Sequence, residues 1–276
     1  LYMDIKAFKM DGLGNDFVII DQRYQNYNLT KDQIIKICDR KFIGCDQLIF
    51  IQKSDEKDAG LEFYNSDGSV SGACGNGTRC VADLLSKENN DKEIILWTSS
   101  GALKSQILGD NLVETEIGVP KINWNEIPLN QNLDTKNLKI KIVNKNNIEH
   151  IGGTSVNVGN PHVVFFVDNI EDYDLKKIGP EIENHKYFPE KCNVTLAQVI
   201  NKKLIKVKVW ERGAGLTKAC GTAACATAVA ANINELTGKT TDIEFALGKL
   251  SISIDENNSI HMKGPVSDIK NIEINI

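Results

Sequence analysis

A five-residue phrase occurs twice, half a chain apart, and it constrains the fold more than any other feature. Residues 73–77 read Ala-Cys-Gly-Asn-Gly and residues 219–223 read Ala-Cys-Gly-Thr-Ala, so Cys74 and Cys220 stand 146 positions apart. At the same offset Asn65 falls on Glu211 and Gln47 falls on Asn193. At an offset of 145, Gly14-Asn15 falls on Gly159-Asn160. Four landmarks in one order with near-constant spacing describe two copies of one unit. The period is far too long for a solenoid, so the natural reading is a duplicated domain. A chain of 276 residues is long enough for two domains, each with its own core.

Each copy of the phrase follows a strand-like run, Leu61–Tyr64 in the first half and Lys206–Trp210 in the second, and precedes a helix-like one. Hydrophobic patterning predicts strands near 4–10, 16–21, 47–52, 61–64, 94–98 and 112–117. The second half repeats them near 153–158, 162–168, 194–200, 204–210, 243–246 and 250–254. Helices fit 31–40, 76–88, 174–183 and 222–236. The last, beginning Thr222-Ala-Ala-Cys-Ala-Thr-Ala-Val-Ala-Ala, has no polar side, and a helix without a polar face is a buried one. The expected fold class is α/β, of the α+β kind. It comprises two pseudo-symmetric domains, each a curled mixed sheet around a central buried helix, with the active site in the cleft between them. The expected boundaries are 1–120 with a C-terminal return over 265–276 for the half carrying Cys74, and 121–264 for the half carrying Cys220. Pro120, Pro128 and the Asn-rich stretch 123–137 are the best candidates for the connection.

Composition narrows the function. Hydrophobic content of 41% and charged content of 25% are those of a soluble globular protein. A net charge of −5 speaks against nucleic-acid binding, which needs a basic face. No apolar stretch approaches membrane-spanning length. The N-terminus lacks the apolar core of a signal peptide, so a cytoplasmic location is expected; Leu1 and Tyr2, ahead of Met3, read as an added remnant. None of the seven cysteines forms a Cys-x-x-Cys pair, which leaves zinc ribbons and thioredoxin-like motifs without support. Reduced thiols are the expectation, with Cys80 and Cys225 as buried small hydrophobes inside helical runs. No metal site is expected.

The chemistry follows from the two Cys-Gly pairs. A thiol at a helix N-terminus meets exposed N–H groups and the positive end of the dipole, which lower its pKa. The same amides, from Gly75-Asn76 and Gly221-Thr222, can hold a carboxylate. If the two halves face each other, one carboxylate is gripped from both helix ends and its α-carbon lies between two sulfurs. One thiolate then removes the α-proton and the opposite thiol returns one to the other face. The α-proton of an amino acid is a very weak acid, and the usual remedy is a pyridoxal Schiff base on lysine. Nothing in the sequence identifies such a lysine. Amide donors in a dry cleft are the electrostatic alternative. On residues alone, blander readings stay open. Asn15 and Asn160 fit turns, His162 fits a strand cap, and a lone arginine such as Arg212 is usually on the surface. A redox module with a Cys74–Cys220 disulfide stays open as well.

Taken together, Gly12-Leu-Gly-Asn-Asp-Phe, Cys45-Asp-Gln-Leu, Tyr64-Asn-Ser-Asp-Gly-Ser, Ala73-Cys-Gly-Asn-Gly, Gly159-Asn-Pro-His, Glu211-Arg-Gly-Ala-Gly and Ala219-Cys-Gly-Thr resemble the diaminopimelate epimerase family. The resemblance covers essentially the whole chain, in order. It implies cofactor-independent conversion of LL- to meso-diaminopimelate, for lysine and peptidoglycan-precursor synthesis, with no cofactor and a small-molecule substrate as the partner. It also leaves room for a homodimer. By the same resemblance, Cys74 is the proton donor and Cys220 the acceptor in the LL-to-meso direction. Gly75, Asn76, Gly221 and Thr222 hold the reacting carboxylate, and Asn15, Gln47, Asn65, Asn160, Asn193, Glu211 and Arg212 bind the rest. His162 and Glu211 tune the thiols. Arg212 suits a distal carboxylate because its fork is planar and bidentate. The chain departs from the family's pattern at Leu216, where Glu is usual, at Ala223, and at Cys45. These departures bear on thiol pKa and loop packing, since no implied ligand position is lost.

Overall fold

A computed structural model describes residues 3–72, 74–99 and 101–276. Leu1, Tyr2, Ser100 and Ala73, the last of these opening the first copy of the repeated phrase, lie outside the described residues. The chain divides into two compact units, one made of the residues up to Glu116 together with Lys263–Ile276, the other of Ile117–Met262.

The first unit is a mixed sheet with two helical crossovers. Asp4–Gly12 forms an antiparallel hairpin with Asn15–Asp21, and helix α1 (Lys31–Cys38) carries the chain to Gln47–Gln52, parallel to Asn15–Asp21. Gln47–Gln52 pairs antiparallel with Ala59–Asn65, which is followed by the short strand Val70–Ser71. Helix α2 (Gly75–Asn89) then crosses to Glu93–Thr98, parallel to Ala59–Asn65, and Gly101–Gly109 turns back antiparallel. Lys270–Asn275 returns to pair with Asp4–Lys9.

The second unit repeats this order. Thr154–Asn157 and Pro161–Phe166 form the hairpin, and helix α3 (Leu175–Glu183) leads to Asn193–Asn201, parallel to Pro161–Phe166. Leu204–Glu211 runs antiparallel, with the short strand Gly215–Thr217 beside it. Helix α4 (Gly221–Ile233) crosses to Thr240–Phe245, parallel to Leu204–Glu211, and Gly248–Ile254 turns back. Hairpin, crossover, hairpin, crossover, hairpin: the mixed α/β architecture expected from the repeat is what each unit has.

Burial explains why the strands lack clean alternation. Phe17, Val18, Ile19 and Ile20 are all fully buried because both sheet faces are covered. Ile19, Ile49 and Phe63 pack with Val81 and Leu85 of α2, while Val18, Ile20, Leu48 and Phe50 pack with Ile34 and Ile37 of α1. Successive strand side chains point to opposite faces, so covering both yields a continuous apolar run. Helix α4 touches strands at both ends of its unit's succession, Thr154–Asn157 and Gly248–Ile254 among them, and its residues 223–231 are buried throughout. Its sequence of small side chains lets strands surround it. Cys80 and Cys225 are buried inside α2 and α4.

The stretch 123–137 does not run free between cores. Ile127 and Leu129 sit in the core of the second unit with Phe165 and Leu196. Its one proline, Pro128, and its asparagines shape an irregular but packed segment.

Candidate functional site

In the first unit, Cys74 is the N-cap of α2, in extended backbone at φ −107°, and is half-buried. Asn15 opens its strand after a turn in which Leu13 (φ 61°) and Gly14 (φ 85°) adopt left-handed backbone; Asp11 Oδ1 accepts from Gly14 N at 2.9 Å and holds that turn. The turn delivers Asn15 Oδ1 to Asn76 Nδ2 at 2.8 Å. Asn76 is only 1% exposed, and its Oδ1 accepts from Arg79 Nη2 at 2.8 Å. Gly12 makes this contact possible: a Cβ there would lie 3.0 Å from the Asn76 carbonyl oxygen.

Gln47 and Asn65 are register partners on neighbouring strands. Gln47 Nε2 donates to Asn65 Oδ1 at 3.1 Å and to Ser71 Oγ at 2.9 Å, while Asn65 Nδ2 donates to Ser69 Oγ at 3.1 Å. The first unit therefore brings Asn15 to Asn76 and Gln47 to Asn65. Ser69, Ser71 and Arg79 join these pairs without having been expected. The signal for Arg79 was present, a lone basic residue in the otherwise small and apolar run Gly77-Thr-Arg-Cys-Val-Ala.

In the second unit, Cys220 caps α4, and its Sγ accepts from Ala223 N at 3.4 Å. Ala223 thus contributes its backbone, and its small side chain is fully buried. Thr222 Oγ1 lies 3.4 Å from Cys220 Sγ and 3.1 Å from His162 Nε2, and His162 Nε2 also reaches Asn160 Oδ1 at 2.8 Å. His162 is the register partner of Asn193, whose Oδ1 accepts from Arg212 N at 2.8 Å. Arg212 Nη1 donates to the Glu190 carbonyl at 2.9 Å, which orients the exposed guanidinium. A further contributor is Glu183, at the end of α3. Its carboxylate accepts from Trp210 Nε1 at 2.8 Å and from Gly213 N at 2.9 Å, clamping the Glu211-Arg212-Gly213 turn on both sides. Leu216 is exposed and carries no part of this network.

The electrostatics correct one expectation. The helix N-terminus was expected to lower the thiol pKa, but Cys220 is pushed well above its ordinary value. Burial is the main cause and the neighbouring Glu211 carboxylate adds to it, while the Thr222 hydroxyl and the Ala223 N–H oppose it. A dipole worth about 1–2 kcal/mol at best does not outweigh removing a thiolate from water. His162 moves the other way, down to about 3, first through burial and then through the Arg212 guanidinium. It is a neutral imidazole. Its Nδ1 has no hydrogen-bond partner among the described residues, which fits a proton held on Nε2. Cys38 and Cys45 form a buried thiol pair with Sγ atoms 3.5 Å apart, and Cys45 packs in the α1-side core.

Two helix-capping thiols, each followed by backbone amides and accompanied by oriented asparagines, suit proton transfer at a carbon bearing a carboxylate. The family model for diaminopimelate epimerase matches residues 7–123 and 154–269. A diaminopimelate epimerase of Pelagibacter ubique is 77% identical over 274 residues, covering 99% of this chain and 100% of that protein. One of Phenylobacterium zucineum is 43% identical, covering 94% of each. Among solved structures, a phenazine biosynthesis protein of the PhzF family from Bacillus anthracis shares the fold with a TM-score of 0.68 at 15% identity, over 99% of this chain and 100% of that one.

Proposed function

The chain belongs to the diaminopimelate epimerase family, and from that premise we propose that Cys74 and Cys220 form the acid–base pair that interconverts LL- and meso-diaminopimelate. The activity is that of an isomerase in lysine biosynthesis. The observation that carries the residue assignment is the equivalent position of the two thiols, each the N-cap of the second crossover helix in its unit.

In the LL-to-meso direction the Cys220 thiolate takes the α-proton. The electron pair left on carbon spreads into the carboxylate, held by the backbone N–H groups of Gly75, Asn76, Gly221 and Thr222. The Cys74 thiol then donates a proton to the opposite face. Cys220 ends as a thiol and Cys74 as a thiolate, so the reverse reaction uses the same pair with roles exchanged. A high thiol pKa at Cys220 makes its thiolate a strong base, which removal of a weakly acidic proton requires. Glu211 raises that basicity, and Thr222, held by His162, moderates it.

Asn15, Gln47, Asn65, Asn160, Asn193, Glu211 and Arg212 bind the remaining ammonium and carboxylate groups. Amide side chains offer donors and acceptors together, and the Arg212 fork takes the distal carboxylate. This reading extends to peptidoglycan-precursor supply and to a cytoplasmic setting, whose reducing poise keeps thiols reduced. It leaves room for a homodimer, which sedimentation would reveal.

The test uses reduced, pyridoxal-free protein with LL-diaminopimelate in D₂O, followed by chiral separation and mass analysis. We expect the meso form with one solvent deuterium at the inverted centre, and loss of turnover in Cys74→Ala and in Cys220→Ala. Near-normal turnover in either variant would remove the two-thiol mechanism. Neither meso product nor deuterium exchange, from folded protein with free thiols, would point to another amino acid as substrate.

A further inference from the structure

We propose that Arg79 is a positioning residue that sets which face of Asn15 meets the substrate, through Asn76. Arg79 is fully buried, and none of the site assignments above gives it a role. The argument rests on donor and acceptor chemistry. A guanidinium has donors and no acceptor, so the amide atom of Asn76 that Arg79 Nη2 reaches at 2.8 Å must be the oxygen. That fixes the Asn76 amide, whose –NH₂ then points at Asn15, 2.8 Å away. Asn15 in turn must present its oxygen inward. Its own –NH₂ is left for the ligand, so half-buried Asn15 offers donors and selects a carboxylate oxygen over an ammonium.

Asparagine amides are close to symmetric in shape, and without such a clamp both orientations of the pair would be nearly isosteric. The second unit reaches the same end differently. At the offset of the repeated phrase Arg79 falls on Cys225, which offers no guanidinium. There His162 Nε2 engages Asn160 Oδ1 at 2.8 Å, so Asn160 also keeps its –NH₂ for the ligand. Two unlike side chains, one in each unit, perform one task.

Asn76→Asp isolates the effect without emptying the site. The new carboxylate still accepts from Arg79 but cannot donate to Asn15, so the Asn15 amide turns over and presents its oxygen. The first readout needs no turnover: NMR of the side-chain amides of Asn15 in the reduced protein. In the unsubstituted chain the Asn15 –NH₂ protons should exchange rapidly with water, and in Asn76→Asp they should become protected. Protected Asn15 protons before substitution would overturn the proposal.

The second readout rests on the proposed epimerase reading. KM for LL-diaminopimelate should rise about tenfold in Asn76→Asp, the scale of one substrate hydrogen bond, with a smaller change in kcat. Combined with Asn15→Ala, the Asn76→Asp effect on KM should disappear. Equal effects in both backgrounds would show that Arg79 and Asn76 do not act through Asn15. Arg79→Met, which removes the donor to Asn76 Oδ1, should behave like Asn76→Asp in both readouts, only more weakly, whereas Arg79→Lys, whose ammonium also only donates, should retain the unsubstituted behaviour. Absence of epimerisation in the unsubstituted chain would defeat the activity reading and leave the NMR test standing.

Discussion

His162 shows how a single side chain is defined by its surroundings. It is fully buried, neutral, and holds both Asn160 and Thr222. Its pKa falls from 6.5 to about 3 on folding. The unfolded chain therefore binds a proton between these values that the folded chain refuses. The stability this contributes is complete above pH 6.5 and is lost as pH falls toward 3. Each pH unit in that window costs about 1.4 kcal/mol, so about 2 kcal/mol goes between pH 6.5 and 5. Urea unfolding of the chain and of His162→Gln at the two pH values checks this. We expect the unsubstituted chain to lose about 2 kcal/mol more than the variant over that interval. Equal losses would mean that His162 is not buried in neutral form.

At the scale of elements, helices α2 and α3 are placed by residues that lack a side chain. A Cβ on Gly77 would come 2.8 Å from Ile49 Cδ1 and 2.9 Å from Phe63 Cε1, both at the outer ends of side chains. A Cβ on Gly179 would instead collide with the indole of Trp210, lying 2.9 Å from Trp210 Cβ and nearer still to the ring. That indole is fixed by its hydrogen bond to Glu183. Gly179→Ala should gain about 1 kcal/mol of helix propensity yet destabilise the chain overall by about 2 kcal/mol through overpacking. Gly77→Ala should cost less, because only the outer ends of Ile49 and Phe63 must give way, whereas Gly179 faces the root of the indole. Denaturant midpoints of the two variants give the order, and a neutral Gly179→Ala would mean that α3 stands further from Trp210. Trp210 precedes Glu211, so this packing also bears on the proposed ligands.

For the whole molecule, the first unit is closed by the end of the chain. Lys270–Asn275 pairs residue for residue with Asp4–Lys9, from Asp4↔Asn275 to Lys9↔Lys270, and Ile274 is fully buried against Ile5 and Ala7. Deleting residues 270–276 strips these partners from a strand that also pairs with Asn15–Asp21. The expected result is loss of protection in the first unit, read by hydrogen exchange at Phe17–Ile20, and with it loss of epimerase activity. Retained protection there would mean that the terminal strand is dispensable.

Much of this was legible in the chain itself. The repeated Cys-Gly phrase, the matched asparagines and the apolar runs are local patterns, and they specify element order because helix and strand preferences act over a few residues. Gly101–Gly109 escaped that reading, and Lys270–Asn275 was expected as a return to the first half but not as a strand, because both carry mostly polar or exposed residues and become strands through their partners. Tertiary structure alone decided the direction of the Cys220 pKa, since burial and the approach of Glu211 are set by residues distant in sequence. It alone decided that Arg79 grips Asn76 and that Asn76 grips Asn15, 61 positions away. Local propensity determines where helices and strands form, whereas desolvation and side-chain orientation depend on which atoms the folded chain brings within 3 Å.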